Sequence, residues 1–336
     1  MHEAMLWEPM PEGKVGCLLC SHRCKIPDGG RGICHVRENR GGVLYTLVYD
    51  RVIARNVDPI EKKPLYHFHP RSYSYSIATP GCNFRCLFCQ NADISQLPGE
   101  SGRIPGAPIP PEEIVEEAAR SECRSISYTY TEPTIFFELA YDTARIAHGR
   151  GIKNVFVTNG YITKEALTVI RPYLDAANID LKGMSEPFYR KVCGARLGHV
   201  LEAIRLYHEM GIWVEITTLV IPGHNDSPEE LGKLARFIAS LDTDIPWHVT
   251  RYHPTYKMTD RPITPVETLR EARRIGIDAG LKYVYEGNVP GSRGENTCCP
   301  ACGRILIGRF GYATSEYHVS GGRCGYCGEK IAGVGL

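Results

Sequence analysis

Three cysteines stand within eight residues in the stretch TPGCNFRCLFCQN, at Cys82, Cys86 and Cys89, spaced C-x3-C-x2-C. Side chains so close can share a metal centre. They fall one thiolate short of a closed four-ligand zinc site, and no fourth ligand lies nearby. Three thiolates can hold three irons of a [4Fe–4S] cluster and leave the fourth iron open, as a catalytic centre requires. A structural zinc knuckle that borrows a distant ligand is the alternative.

The chain carries fourteen cysteines, and eleven of them, these three included, fall into three spaced sets. At the tail, Cys299, Cys302, Cys324 and Cys327 form C-x2-C-x21-C-x2-C, each pair followed by glycine. Two tight turns of this kind present four thiolates tetrahedrally, which reads as a zinc ribbon; a rubredoxin-like iron site has the same geometry. Cys298 is a spare. At the head, Cys17, Cys20, Cys24 and Cys34 follow C-x2-C-x3-C-x9-C. Zinc is the first expectation there and a second iron–sulfur cluster the alternative, with His22 and His35 as substitute ligands. Disulfides would need an oxidising compartment or a hyperthermophile's cytosol.

Composition narrows the partners. The 336 residues are 43% hydrophobic and 23% charged, and 39 basic against 38 acidic residues leave a net charge of +1. That balance offers no electrostatic footprint for nucleic acid or an anionic membrane. No apolar run reaches the roughly 18 residues of a spanning helix. The segment MHEAMLWEPMPEG has no basic stretch followed by an apolar one, so no secretory signal is read and a cytoplasmic location is expected.

The elements that must position the three thiolates follow from the pattern between residues 73 and 286. Strand-like runs (SYSYSIAT, SISYTY, NVFVTN, AANIDL, WVEITTLVI, PWHVTRY) alternate with amphipathic helices, giving six βα units and a possible seventh strand, KYVYE. Such alternation predicts a parallel sheet with outer helices. A closed eightfold barrel needs more units, so a partial barrel or an open doubly wound sheet fits. The Gly/Pro-rich segment 98–111 is expected as a loop, and 287–297 as a linker. The expected organisation is a Cys-rich module over 1–72, a barrel core over 73–287 and a ribbon-like module over 288–336. In a parallel sheet of this kind ligands bind at the carboxyl ends of the strands, and the three-cysteine loop follows the first strand.

With Phe88 before its last cysteine, the C-x3-C-x2-C loop resembles the signature of radical S-adenosylmethionine (SAM) enzymes. Later motifs resemble the pyruvate formate-lyase activating enzyme branch. Over nearly the whole chain the pattern is most similar to the radical SAM enzymes of the AmmeMemoRadiSam system, through CLLCSHRCKI, YTYTEPTIFFE, VTNGY, DLKG, PWHVTRYHPTYKM and CPACG. The resemblance implies a partial (β/α)6 barrel of the radical SAM type, a [4Fe–4S] cluster on Cys82, Cys86 and Cys89, and SAM chelated to the open iron.

It also implies roles. Glu132 would accept from SAM's ammonium group, although Tyr130 and Thr131 replace the family's two glycines; a helix N-terminal acid is the plain reading. Asn159, Asp180 and Lys182 would face the ribose and carboxylate. Phe88 and Gln90 would present surface to adenine, and His248 would stand beside SAM. Arg251, His253, Tyr256 and Lys257 could line the mouth. His67 and His69 share a strand face and could bind a metal, with structural use the first reading. Cys193, after DLKG and ahead of a helix, could give a hydrogen atom to a substrate radical, or be a buried apolar residue. A reductant such as flavodoxin or ferredoxin and Memo-like and AMMECR-like partners are implied. The rival readings are an activase that installs a glycyl radical on a protein, and a zinc-stabilised nucleic-acid-binding scaffold without catalysis.

Overall fold

Eight strands form the central sheet of the computed structural model, which describes residues 2–336. They are β1 (Ala54–Pro59), β2 (Tyr73–Ala78), β3 (Ser125–Tyr128), β4 (Lys153–Thr158), β5 (Ala176–Asp180), β6 (Trp213–Val220), β7 (Trp247–Arg251) and β8 (Val284–Gly287). Helices α1 (Pro111–Arg120), α2 (Phe137–Gly149), α3 (Lys164–Ile170), α4 (Leu197–Glu209), α5 (Pro228–Leu241) and α6 (Val266–Asp278) connect them.

Spatial order in the sheet is chain order, β1 to β8. The seven strands from β2 onward are all parallel, and β1 pairs antiparallel to β2. A doubly wound sheet reverses its strand order at a switch point; this one never does. The result is the open partial barrel, with the seventh parallel strand present as β8.

Local chemistry starts the helices where the pattern placed them. Pro111 opens α1 with Glu112 and Glu113 in its first turn. Thr163 Oγ1 accepts from Ala166 N at 3.2 Å ahead of α3, and Ser227 Oγ from Glu230 N at 3.2 Å ahead of α5. The segment expected as a loop differs in part: Leu97–Ser101 is a short helix. Its Pro98 lies in the first turn, where a missing N–H costs nothing, and Gly102 ends it at φ +69.

The head segment shares the barrel's core. Its Val15, Leu19, Ile26, Val36 and Leu44 belong to one apolar cluster with residues of β2 through β7. A buried ion pair, Arg37 Nη2 to Glu138 Oε1 at 2.9 Å, ties it to α2. Because β1 belongs to the main sheet, residue 72 falls between two paired strands. The tail folds as an antiparallel sheet around β9 (Ile305–Phe310) and β10 (Ala313–Tyr317). It packs on Tyr283, Tyr285 and Tyr66 in a second apolar cluster. Among the described residues no helix is long and apolar enough to cross a membrane.

Candidate active site

The carboxyl ends of the parallel strands open on a cavity of about 1000 Å³. The loop after β2 brings Cys82, Cys86 and Cys89 to its wall, together with Phe88 and Gln90. Later strand ends add Thr131 and Glu132, then Asn159, then Asp180 and Lys182, while His248 reaches the cavity from within β7. The seven residues expected around SAM, with Thr131 in the place of a family glycine, therefore line one cavity with the three thiols.

The cysteine loop is held from several sides. Arg85 N donates to Cys193 O at 2.9 Å, Leu87 N to Val192 O at 3.0 Å, and Lys257 N to Leu87 O at 3.0 Å. Phe84 N points at Cys82 Sγ at 3.3 Å, and Ser95 Oγ lies 3.2 Å from Cys89 Sγ. Burial pushes the Cys82 thiol well up, helped by the Glu132 charge, and burial raises Cys89 as well. A hydrogen bond from Cys193 pulls Cys86 down against its burial. The side-chain nitrogen of Asn83, next to Cys82, is buried with no partner. Three convergent thiols with a spare buried N–H fit an iron–sulfur cluster, whose metal charge favours thiolates and whose sulfurs accept hydrogen bonds.

Glu132 is buried, and burial raises its pKa against four hydrogen bonds. Oε1 accepts from Thr134 N (3.1 Å), Thr134 Oγ1 (2.6 Å) and Thr158 Oγ1 (2.8 Å). Oε2 accepts only Asn159 N, at 2.8 Å, which leaves it acceptor capacity. The residue thus caps the turn Pro133–Phe136 and also faces the cavity. Tyr130, in place of a glycine, holds φ +60. That conformation costs a bulky residue on the order of 1 kcal/mol. Its hydroxyl donates to Asp58 Oδ2 at 2.5 Å and its ring lies 4.6 Å from Lys63 Nζ, contacts that offset the strain. Thr131 Oγ1 donates to Thr79 O at 2.8 Å.

On the far wall, Lys182 Nζ donates to Asp180 Oδ2 at 2.8 Å. Burial opposes the lysine's charge, but Asp180, and behind it Cys86 and Cys193, hold its pKa above the usual value. His248 Nε2 lies 2.7 Å from Glu215 Oε2. Glu215 also accepts Tyr66 N at 3.0 Å and His67 N at 2.8 Å.

A sequence model of the radical SAM superfamily matches residues 76–238. An uncharacterized protein of Methanocaldococcus jannaschii is 50% identical over 334 residues, covering 98% of this chain and 99% of its own. The chain belongs to the radical SAM superfamily. The pyruvate formate-lyase-activating enzyme of Clostridium pasteurianum is 22% identical over 61% of this chain and 89% of its own. The crystal structure of a radical SAM methyltransferase from Sphaerobacter thermophilus has a TM-score of 0.51 at 18% identity, covering 71% of each chain. The protein is a radical SAM enzyme with that superfamily's α/β fold.

Not every candidate reaches the radical SAM cavity. Arg251 and His253 line it, whereas Tyr256 and Lys257 both bind Glu100 at the exposed surface, at 2.7 and 3.0 Å. Cys193 is fully buried behind Cys86 and is not among the cavity's lining residues. It ends the π-turn Tyr189–Cys193, and burial raises its thiol well above the usual range. His67 Nδ1 lies 2.6 Å from Ala332 O and Nε2 2.5 Å from Tyr285 Oη, so its ring joins core to tail; His69 is half-buried nearby.

Two residues not singled out from sequence matter here: Lys63 lines the cavity, and Glu215 lies beneath it against His248. Lys63 is buried against Asp58 at 2.7 Å, with burial pushing its pKa down to about 8. Glu215 is fully buried, and its only sequence signal was an acid inside the apolar run WVEITTLVI.

The flanking cysteine sets differ in geometry. The sulfurs of Cys299, Cys302, Cys324 and Cys327 all lie within 4.8 Å of one another, with Cys299 to Cys327 at 3.6 Å and Cys302 to Cys324 at 3.8 Å. Four thiolates about 2.3 Å from one zinc stand roughly 3.8 Å apart, so the tail fits a zinc-ribbon-like module. At the head, Cys17 N donates to Cys24 O at 2.9 Å. A side chain on Gly32 would meet Cys24 Sγ at 3.7 Å and Cys34 Sγ at 3.8 Å. Burial, with Cys17 and Cys34 nearby, raises the Cys20 thiol well above its usual range.

Proposed function

We propose that this chain binds a [4Fe–4S] cluster on Cys82, Cys86 and Cys89 and cleaves SAM reductively to act on a substrate held in the 1000 Å³ cavity. The observation that carries the reading is the meeting of three thiols and the expected SAM-facing side chains on one cavity wall. When bound, the reduced cluster supplies the electron that breaks SAM's sulfonium C–S bond and yields a 5′-deoxyadenosyl radical, which takes hydrogen from the substrate.

The protein's own part is placement and exclusion of water. Glu132 Oε2 offers the acceptor for SAM's ammonium group. Lys182 offers a cation for its carboxylate. Asn159 and Asp180 stand toward the ribose, and Phe88 and Gln90 toward adenine. Glu215 fixes the ring of His248 at the cavity floor. Arg251 and His253 are placed to meet the substrate at the mouth.

The electron donor in this reading is a flavodoxin or ferredoxin, zinc occupies the tail site, and Memo-like and AMMECR-like proteins are the candidate partners. All fourteen cysteines are free, which suits a reducing cytoplasm. A protein glycine as substrate is the second reading, favoured by the relatives named as activating enzymes. Anaerobically reconstituted and reduced protein should form 5′-deoxyadenosine from SAM, and Cys82, Cys86 and Cys89→Ala should abolish it. SAM cleavage unchanged in that triple variant would overturn the reading.

A further inference from the structure

The tail reaches the same cavity as the radical loop of Cys82, Cys86 and Cys89. Glu295, Gly311 and Tyr312 all line it. Glu295 Oε2 accepts Gly291 N at 3.2 Å and Gly311 N at 3.1 Å. One buried carboxylate thus ties the segment entering the tail to the turn between β9 and β10. Gly311 makes that turn at φ +60, and Tyr312 follows it onto the cavity wall. The tail is part of the chamber.

Behind this wall the tail grips the residues that surround His248. Arg309, on β9, is buried and divides its guanidinium between core and tail. Its Nη2 donates to Tyr66 O at 2.9 Å, and its Nη1 donates to Thr297 Oγ1 at 2.7 Å. The guanidinium also lies 4.1 Å from the centre of the Tyr66 ring, a cation–π contact. Tyr66 lines the cavity and turns its ring edge-on to His248, with centroids 4.7 Å apart at 87°. Tyr285 stacks on the same imidazole at 5.1 Å and 26°. The Tyr285 hydroxyl meets Thr297 Oγ1 at 2.9 Å, so this one oxygen joins Arg309 to Tyr285. Glu215 holds Nε2 of the imidazole, and two tyrosines anchored from the tail hold its ring. A side chain fixed by such a supporting shell keeps one orientation toward its ligand.

We infer that Arg309 is a positioning residue for His248, acting from the tail through Tyr66 and, by way of Thr297, through Tyr285. The inference rests on the reading of this cavity as the SAM site, with His248 beside SAM. It gives the tail module a part in binding SAM. Residues that touch neither SAM nor the cluster then set how tightly SAM is held.

The test titrates SAM against the EPR signal of the reduced cluster in full-length, anaerobically reconstituted variants. Arg309→Met keeps much of the side chain's length and removes its charge and donors. Thr297→Val keeps the side chain's shape and removes the shared hydroxyl. Each should weaken SAM binding about three- to tenfold while sulfide and tail-metal contents stay at wild-type levels. Arg309→Lys keeps a cation over Tyr66 without the planar fork, and its affinity should fall between Arg309→Met and the wild type. Arg304→Met is the control for a disturbed tail, because exposed Arg304 stacks on Tyr326 within the tail at 4.9 Å. It should bind SAM as the wild type does. A purely structural role would lower the melting temperature and leave the dissociation constant, measured well below melting, unchanged. Wild-type affinity in Arg309→Met or, where that variant does not fold, in Thr297→Val overturns the inference. Equal weakening in Arg304→Met overturns it too. A wild type whose cluster signal ignores SAM defeats the SAM reading itself, before any variant is compared.

Discussion

Glu215 Oε2 and His248 Nε2 lie 2.7 Å apart on the neighbouring strands β6 and β7, with both side chains buried under the cavity. The carboxylate is shared. It also takes the backbone N–H groups of Tyr66 and His67, which enter from the segment joining β1 to β2. One buried acid therefore aligns a residue expected beside SAM and pins the strap that carries the tail's contacts.

Replacing Glu215 with Leu should strand these donors and cost about 3–5 kcal/mol in denaturant titrations at neutral pH. Glu215→Gln, which keeps an acceptor, should cost less. The hydrogen bond from His248 holds Glu215 below its ordinary value of 4.5 despite burial. Its stabilisation is thus complete above that value and is lost as pH falls below it. Between pH 5 and 3 the wild type should lose stability more steeply than Glu215→Gln. Equal slopes would mean that the carboxylate is not the acid-sensitive group.

His67 gives a second pH dependence in a higher window. Burial pushes its pKa down to about 4, whereas the unfolded side chain titrates near 6.5. The unfolded chain binds the extra proton first, so stability falls as pH drops from 6.5 to about 4, by on the order of 3 kcal/mol in all. His67→Gln should flatten this part of the stability profile while lowering stability at pH 7 by loss of the Tyr285 and Ala332 contacts. A profile as steep as the wild type's would assign the effect to another group.

The tail should carry about one metal ion per chain. Cys299→Ala should lower that content and reduce the melting temperature, because Cys299 is both a ligand and part of the cluster packed on Tyr283 and Tyr285. Absorbance from the radical-loop cluster should persist. Full occupancy after replacing all four tail cysteines would show that the metal lies elsewhere.

What the sequence made legible tracks how local each signal is. The βα alternation showed because strand and helix periods are written within ten or so residues. The tail site showed because two C-x2-C turns are local. The sheet's order could not be read, since partial barrel and doubly wound sheet share the same alternation until the strands pair. Leu97–Ser101 was hidden by its proline and glycine, residues that mark a loop unless they sit at a helix's first turn and stop. The link from Glu215 to His248 crosses 33 positions and that from His22 to Asn83 crosses 61, so neither leaves a spacing signature.

For Cys193 the expected position and the observed one differ in consequence. It follows DLKG as expected, yet its thiol is buried against Cys86 and the cavity is lined without it. A thiol that donates to a cluster-ligating sulfur draws charge from that sulfur and raises the cluster's reduction potential. Cys193→Ala should therefore shift the radical-loop cluster to a more negative potential in an EPR-monitored redox titration, with Cys193→Ser nearer the wild type. Given a strong enough reductant, the Ala variant should form the same product from the same substrate. A product that stalls or changes, at an unaltered potential, would instead make Cys193 the hydrogen-atom donor.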